Sequence, residues 1–174
     1  MINRYIVLLR GINVSGKNKL PMADLRALLS ELGYQNIQTY IQSGNIILDS
    51  EKEKSILEKE IKEGIKSRFG YDVPVISRTV EGVINAIENN PYPVENEKVI
   101  AVIFLSDAVT MTAIEINKAD DDKFTVLKDV VYIYCPNGFG RSKLTINVFE
   151  KKLNVIATSR NWRTTSKLLE LANS

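Results

Sequence analysis

The sequence contains no histidine and a single cysteine, Cys135. The first absence removes the Ser-His-Asp and Cys-His nucleophile pairs, the imidazole general base and every zinc site that uses a histidine ligand. The second removes intramolecular disulfides and thiolate zinc sites. With no imidazole to activate it, Cys135 reads as a small buried hydrophobe. Long apolar runs are missing as well, and none approaches the roughly 20 residues that cross a bilayer. Neither sign of charge dominates: Lys and Arg total 23 against 21 Asp and Glu, a formal net charge of +2. That is too little for a general polyanion binder, although a local basic patch is compatible with it. The start, Met1-Ile2-Asn3-Arg4, leads directly into a strand-like run with no charged-then-apolar leader. Together with the lone cysteine this favours a cytoplasmic protein with no membrane partner. Chemistry, if any, falls to Lys, Arg, Tyr, Ser, Thr or carboxylates, and no metal or cofactor is called for.

What is present is an ordinary globular composition over 174 residues, 44% hydrophobic and 25% charged, enough for one domain or two small ones. Tyr5 to Leu9 is expected as a covered central strand. Pro21 opens a helix whose stripe is Met22, Leu25, Leu28, Leu29 and Leu32, stopped by Gly33. Strands are expected at Ile37 to Ile41 and Asn45 to Asp49, joined as a hairpin by Gln42-Ser43-Gly44. Ser50 and Glu53 read as a capping box for a helix burying Ile56, Leu57, Ile61, Ile65 and Phe69 and ended by Gly70. A strand at Val73 to Ser77 and a helix from Val80 to Glu88 capped by Thr79 complete this half. After the breaker-rich Asn89-Asn90-Pro91-Tyr92-Pro93 the order repeats. It reads strand Val99 to Leu105, helix Thr110 to Ala119, hairpin Phe124 to Leu127 with Val130 to Cys135, helix Ser142 to Leu153, strand Val155 to Thr158, and helix Trp162 to Ala172. The expected fold class is therefore α+β, a tandem duplication of ferredoxin-like βαββαβ units, each with an extra C-terminal helix, over residues 1–90 and 94–174.

Three stretches could carry chemistry. Gly11-Ile12-Asn13-Val14-Ser15-Gly16-Lys17-Asn18 matches the G-x-x-x-x-G-K phosphate loop, with Asn18 in place of the usual hydroxyl residue. The late helix start at Pro21 and the lost Mg²⁺ ligand argue against a nucleotide hydrolase, which leaves a plain turn or a non-hydrolytic anion site. Arg10 and Asn13 would orient a ligand there, and Lys17 would bind it. The hairpin Gln42-Ser43-Gly44-Asn45 offers further amides and hydroxyls, but it is expected at the opposite end of the sheet from the first loop. Downstream, Arg141, Ser142 and Lys143 follow Gly138-Phe139-Gly140 at an expected helix start, and Arg160 and Asn161 lie before another. Tyr132 and Tyr134 alternate onto one sheet face and could stack bases, but no RNP1 pattern accompanies them. Asp120-Asp121-Asp122 reads as a loop rather than a metal site.

Three blocks resemble the bacterial domain-of-unknown-function family DUF1697. They are Leu8-Leu9-Arg10-Gly11-Ile12-Asn13-Val14 with Gly16-Lys17-Asn18, then Thr39-Tyr40-Ile41-Gln42-Ser43-Gly44-Asn45, then Gly140-Arg141-Ser142-Lys143-Leu144 with Ala157 to Lys167. Ser15 stands where glycine is usual, and Ser159 and Arg163 depart from the common Thr and Asn. The resemblance implies fold boundaries and no particular reaction.

The leading functional reading is a binding protein for a phosphorylated small molecule or nucleotide, held between the two halves. Its candidate ligand-binding residues are Arg10, Asn13, Lys17, Asn18, Gln42, Ser43, Asn45, Arg141, Ser142, Lys143, Arg160 and Asn161. The alternatives are a single-stranded RNA module, a catalyst using Lys17 or Lys143, and an interaction protein whose motifs only build turns.

Overall fold

Asn3–Leu9 forms the first strand, β1, in the computed structural model, which describes residues 1–174. Tyr5 through Leu9 are all buried, as their unbroken apolar character requires of a strand covered on both faces. The chain then closes a loop and enters α1, Met22–Glu31, with Pro21 extended at its cap. Strands β2 (Gln35–Tyr40) and β3 (Asn45–Ser50) form the expected hairpin. Helix α2 (Lys54–Phe69), strand β4 (Val75–Thr79) and helix α3 (Val80–Glu88) follow. β1 lies antiparallel between β3 and β4, giving the order β2-β3-β1-β4. Tyr5, Val7 and Leu9 with Ile46 and Leu48 pack against Leu25, Leu28 and Leu29 of α1 and Leu57, Ile61 and Ile65 of α2.

The second sheet consists of β5 (Ile100–Leu105), β6 (Lys123–Leu127), β7 (Val130–Tyr134) and β8 (Ala157–Asn161), ordered β6-β7-β5-β8 and fully antiparallel. Helix α4 (Ile146–Leu153) covers one face through Phe149 and Leu153, and α5 (Trp162–Ala172) follows β8. The fold is thus mixed α+β, with two four-stranded antiparallel sheets and five helices. Contacts divide the chain into two units, Met1–Ile84 with Leu168–Ser174, and Asn85–Lys167. No helix is long and apolar enough to cross a membrane.

Several local expectations give way to the structure. Thr110 to Ala119 is irregular rather than helical. Its Thr and Ile residues are stiff at χ1 and favour extended backbone. Ile114 and Ile116 are accordingly half-buried while Glu115 and Asn117 are exposed, an alternation of period two. Met111 is exposed. The capping box of Ser50 and Glu53 does not form, because β3 extends through Ser50 and α2 begins only at Lys54. The Ser50 hydroxyl instead accepts from the Lys52 N–H at 3.0 Å. Ile56 lies off the 57-61-65 stripe and is exposed. Residues 142–145 precede α4 instead of forming its first turn, and Thr145 caps it by accepting from the Val148 N–H. β8 runs on to Asn161, so Arg160 belongs to a strand.

Candidate functional site

The first motif folds into a loop that closes on itself. The Asn13 N–H donates to the Asn18 carbonyl, the Lys17 N–H donates to the Val14 carbonyl, and Val14 and Lys17 form an antiparallel bridge. These internal bonds take up amides that a phosphate cradle would aim at its anion. Five positions adopt left-handed backbone, Gly11, Asn13, Ser15, Gly16 and Asn18, which accounts for the Gly and Asn content. The side chains serve the same closure. Asn13 Nδ2 donates to the carbonyls of Leu20 and Gln42 at 2.9 and 2.8 Å, and its Oδ1 accepts from the Leu20 N–H at 2.8 Å. Asn18 Nδ2 donates to the Gly11 carbonyl at 2.9 Å. Lys17 is exposed and Arg10 half-buried.

The first loop and the hairpin turn lie at the same end of the sheet, correcting the expectation that they are apart. β1 and β3 are antiparallel with Leu8 opposite Asn45, so the end of β1 sits beside the start of β3. Leu9 N–H donates to the Gly44 carbonyl at 2.8 Å, and Asn13 reaches Gln42. Asn45 Nδ2 ties the turn together through the Tyr40 carbonyl and the Ser43 hydroxyl. This end therefore gathers Arg10, Asn13, Lys17, Asn18, Gln42, Ser43 and Asn45.

In the second unit, Ser142 occupies a hydrogen-bonded node. Its hydroxyl donates to Asp122 Oδ2 at 2.8 Å and accepts from Cys135 Sγ at 3.3 Å and from the Leu144 N–H at 3.1 Å. A hydroxyl has one donor and two acceptor sites, so this one is saturated and offers no lone pair for attack. Asp122 is 3% exposed, a buried carboxylate that the serine helps to satisfy. Burial raises the Cys135 thiol, the Ser142 contact lowers it, and the nearby Asp122 carboxylate raises it further; the net shift is upward, which keeps the sulfur protonated.

Ser142 and Lys143 also line a groove of about 490 Å³ that runs along α4. Its remaining walls are Thr145, Val148 and Lys152 from one face of the helix, and Glu115, Ile116 and Asn117 from the extended segment. Lys143 stands before the helix start and Lys152 in its last turn, so the groove spans roughly 10 Å along the axis. The sequence reading missed Lys152 and the 115–117 wall. The alternation Thr112-Ala113-Ile114-Glu115-Ile116-Asn117 was the signal for that wall, masked by the helix-like spacing of Met111 and Ile114.

Arg160 and Asn161 lie elsewhere in this unit. Arg160 pairs in register with Val102, on the sheet face opposite Ala101, Ile103 and Leu105, which pack toward α4. Its guanidinium Nη1 donates to Thr158 Oγ1 at 2.9 Å and to the Ser159 carbonyl at 2.8 Å. Burial pulls it down to about 10, which still leaves it cationic at neutral pH. Asn161 Oδ1 caps α5 by accepting from the Thr164 N–H at 2.8 Å. On the same face as Arg160, Tyr132 is fully buried and donates its hydroxyl to the Ala86 carbonyl. Tyr134 stacks on Tyr92 at 5.6 Å between ring centroids. Neither ring is presented for stacking on a base.

A cleft of about 320 Å³ in the first unit is lined by Tyr34, Gln35, Asp49 and Lys52 among others. Two of its charges are paired, Asp49 with Arg4 and Lys52 with Glu60, which also accepts from the Tyr34 hydroxyl.

Comparison with solved structures finds a match to a conserved bacterial protein from Streptococcus pneumoniae. The identity is 23%, each chain is covered over 99% of its length, and the TM-score is 0.69. This likeness shows the fold. No curated protein matches the sequence. The profile of DUF1697, described as a protein family of unknown function, matches residues 2–132, which include the first loop and the hairpin turn and stop short of the Gly140 block. The chain therefore belongs to the DUF1697 family.

Proposed function

We propose that this protein binds a small phosphate-bearing molecule in the groove along α4. One observation carries this reading: Lys143 and Lys152 line the same groove, which has the volume of a small-molecule site. The positive end of the α4 dipole lies beside Lys143 and favours an anion at that end. No catalysis is assigned. Ser142 is saturated and Cys135 is buried and protonated, so neither supplies a nucleophile. Of the motif residues, Asn13, Asn18, Asn45 and Asn161 serve loop closure and capping, while Ser142 and Lys143 line the groove and Lys143 brings its charge.

We read the two units as copies of one ferredoxin-like unit. The shared strand orders support this, as do equivalent bonds: Leu9 to Gly44 matches Leu105 to Asp129, and Arg10 to Pro74 matches Ser106 to Ile156. The second copy has replaced its first helix by the extended segment that forms one wall of the groove. We place the protein in the cytoplasm, where the lone Cys135 stays reduced.

The test is thermal unfolding of the whole chain with inorganic phosphate, a panel of organic phosphates and sodium chloride at matched ionic strength. The midpoint rises with at least one phosphate in the wild type, and Lys143→Ala with Lys152→Ala abolishes the rise. A panel in which no phosphate moves the midpoint beyond the chloride control rejects the reading.

A further inference from the structure

We infer that the occupant of the α4 groove is an elongated organic molecule, a single phosphate head on an apolar body, rather than inorganic phosphate or a polyphosphate. The inference rests on the binding reading above and names the ligand class for the same groove.

Size gives the first argument. At about 490 Å³ the groove is on the scale of sites that hold organic molecules of many atoms. A bare phosphate would engage one lysine and leave the rest of the groove to water. The walls give the second. Beside the two lysines the lining includes Ile116 from the extended segment and Val148 from the helix, both half-buried. An apolar body against them covers these side chains together with the four-carbon stem of Lys152. Charge gives the third. Two lysines against Glu115 leave one net positive charge on the lining, which suits a single phosphate head of about −1.5 to −2 and no larger charge. A triphosphate would bring several charges into a groove that also holds a carboxylate, and the excess would meet repulsion.

The geometry orients the ligand as well. The head belongs at Lys143, where the ammonium and the start of α4 reinforce each other. The body then follows the helix face through Thr145 and Val148 toward Lys152, spaced three and four residues apart and so aligned on one side. The Ser142 hydroxyl is engaged inward by Asp122, Cys135 and Leu144, so it shapes the floor instead of adding a bond to the head. The exposed Asn117 amide and Glu115 carboxylate lie on the far wall, within reach of hydrogen-bonding groups on the body.

Calorimetric titration of the whole chain with inorganic phosphate, then ethyl, butyl and hexyl phosphate, then hexanol and ATP, tests this. Affinity should rise about two- to fourfold per added methylene until the body reaches Lys152. Hexyl phosphate should then bind at least about tenfold tighter than inorganic phosphate. Hexanol should not saturate, and ATP should bind no tighter than ethyl phosphate. Lys143→Ala should weaken the whole series by a common factor. Val148→Ser, at a half-buried helix position, should flatten the chain-length dependence and leave inorganic phosphate unchanged. Equal affinity for inorganic and hexyl phosphate overturns this inference while the anion-binding reading survives. Absence of binding by every phosphate overturns both. A chain-length dependence that persists in Val148→Ser also overturns it, because the body then lies outside the groove.

Discussion

Asn13 joins three pieces of chain by side-chain bonds alone: its own loop, Leu20 before α1, and Gln42 in the hairpin turn. Its backbone is left-handed, φ +53°, a conformation that asparagine tolerates better than most residues. Asn13→Ala removes all three bonds and adds backbone strain, so it should cost about 2–4 kcal/mol by urea unfolding. Asn13→Gly relieves the strain and should recover only a part of that. A loss under ~1 kcal/mol in the alanine variant would show that water replaces these bonds without penalty. Gly44 makes the same point through space. A Cβ there would stand 2.7 Å from Leu9 Cβ and 2.9 Å from Ile12 Cδ1, on backbone at φ +84°. Because Leu9 is core backbone-near structure and not a flexible tip, Gly44→Ala should destabilise by roughly 3 kcal/mol or more, with melting temperature as the readout. In the sequence, Asn13 and Gly44 were visible as turn formers. Their partners were not, because Leu20 meets Asn13 only once the loop closes and Gln42 reaches it only through the pairing of β1 with β3.

Between elements, the clearest coupling is the carboxylate of Asp49 on β3. It receives Arg4 Nε at 2.8 Å and Nη2 at 3.1 Å from β1, and Asn36 Nδ2 at 2.7 Å from β2. The Arg4 bonds hold its carboxyl below the usual range; partial burial opposes this, and the Asn36 bond and the Arg4 charge add to the lowering. With the folded value depressed, the unfolded chain takes up the proton first on acidification. The stabilisation is therefore complete above the ordinary aspartate value of about 4 and fades as pH falls through the folded one. Asp49→Asn should be less stable than wild type by about 1–2 kcal/mol at pH 7, and the gap should narrow below about pH 4. Denaturant midpoints measured from pH 7 to pH 2.5 check this, and a gap that stays constant refutes it. Element identity was mostly legible where packing and propensity agree: the Leu57-Ile61-Ile65 stripe, the αL stop at Gly70, and the continuous apolar run of β5. It failed at 110–119, where the i, i+3 spacing of Met111 and Ile114 imitates a helix that the β-branched neighbours disfavour. The same misreading hid one wall of the groove, and starting α4 too early placed Lys143 inside a helix instead of before one.

At the scale of the whole chain, the likeness between the two units extends to single residues. Ser77-Arg78-Thr79 ends β4 and Ser159-Arg160-Asn161 ends β8, with Arg78 opposite Ile6 and Arg160 opposite Val102 in the central strands. Both arginines are buried, and each donates Nη1 to the carbonyl of the serine before it at 2.8 Å. The third residue of each triplet caps the next helix: Thr79 Oγ1 accepts from the Gly82 N–H at 3.1 Å, and Asn161 Oδ1 from the Thr164 N–H at 2.8 Å. If one ancestral strand-to-helix junction serves both units, the caps should be interchangeable. Thr79→Ala and Asn161→Ala should each cost about 1 kcal/mol, the usual effect of losing a helix N-cap. The reciprocal exchanges Thr79→Asn and Asn161→Thr should each stay within ~0.5 kcal/mol of wild type, since both residues cap well. The double alanine variant should lose the sum of the single effects to within about 0.5 kcal/mol, because each cap bonds only to its own helix. Urea unfolding of the five variants decides the matter. An exchange that costs as much as the alanine change at either site would mean that the two junctions hold their caps in different geometries, and the equivalence would end at the order of the strands.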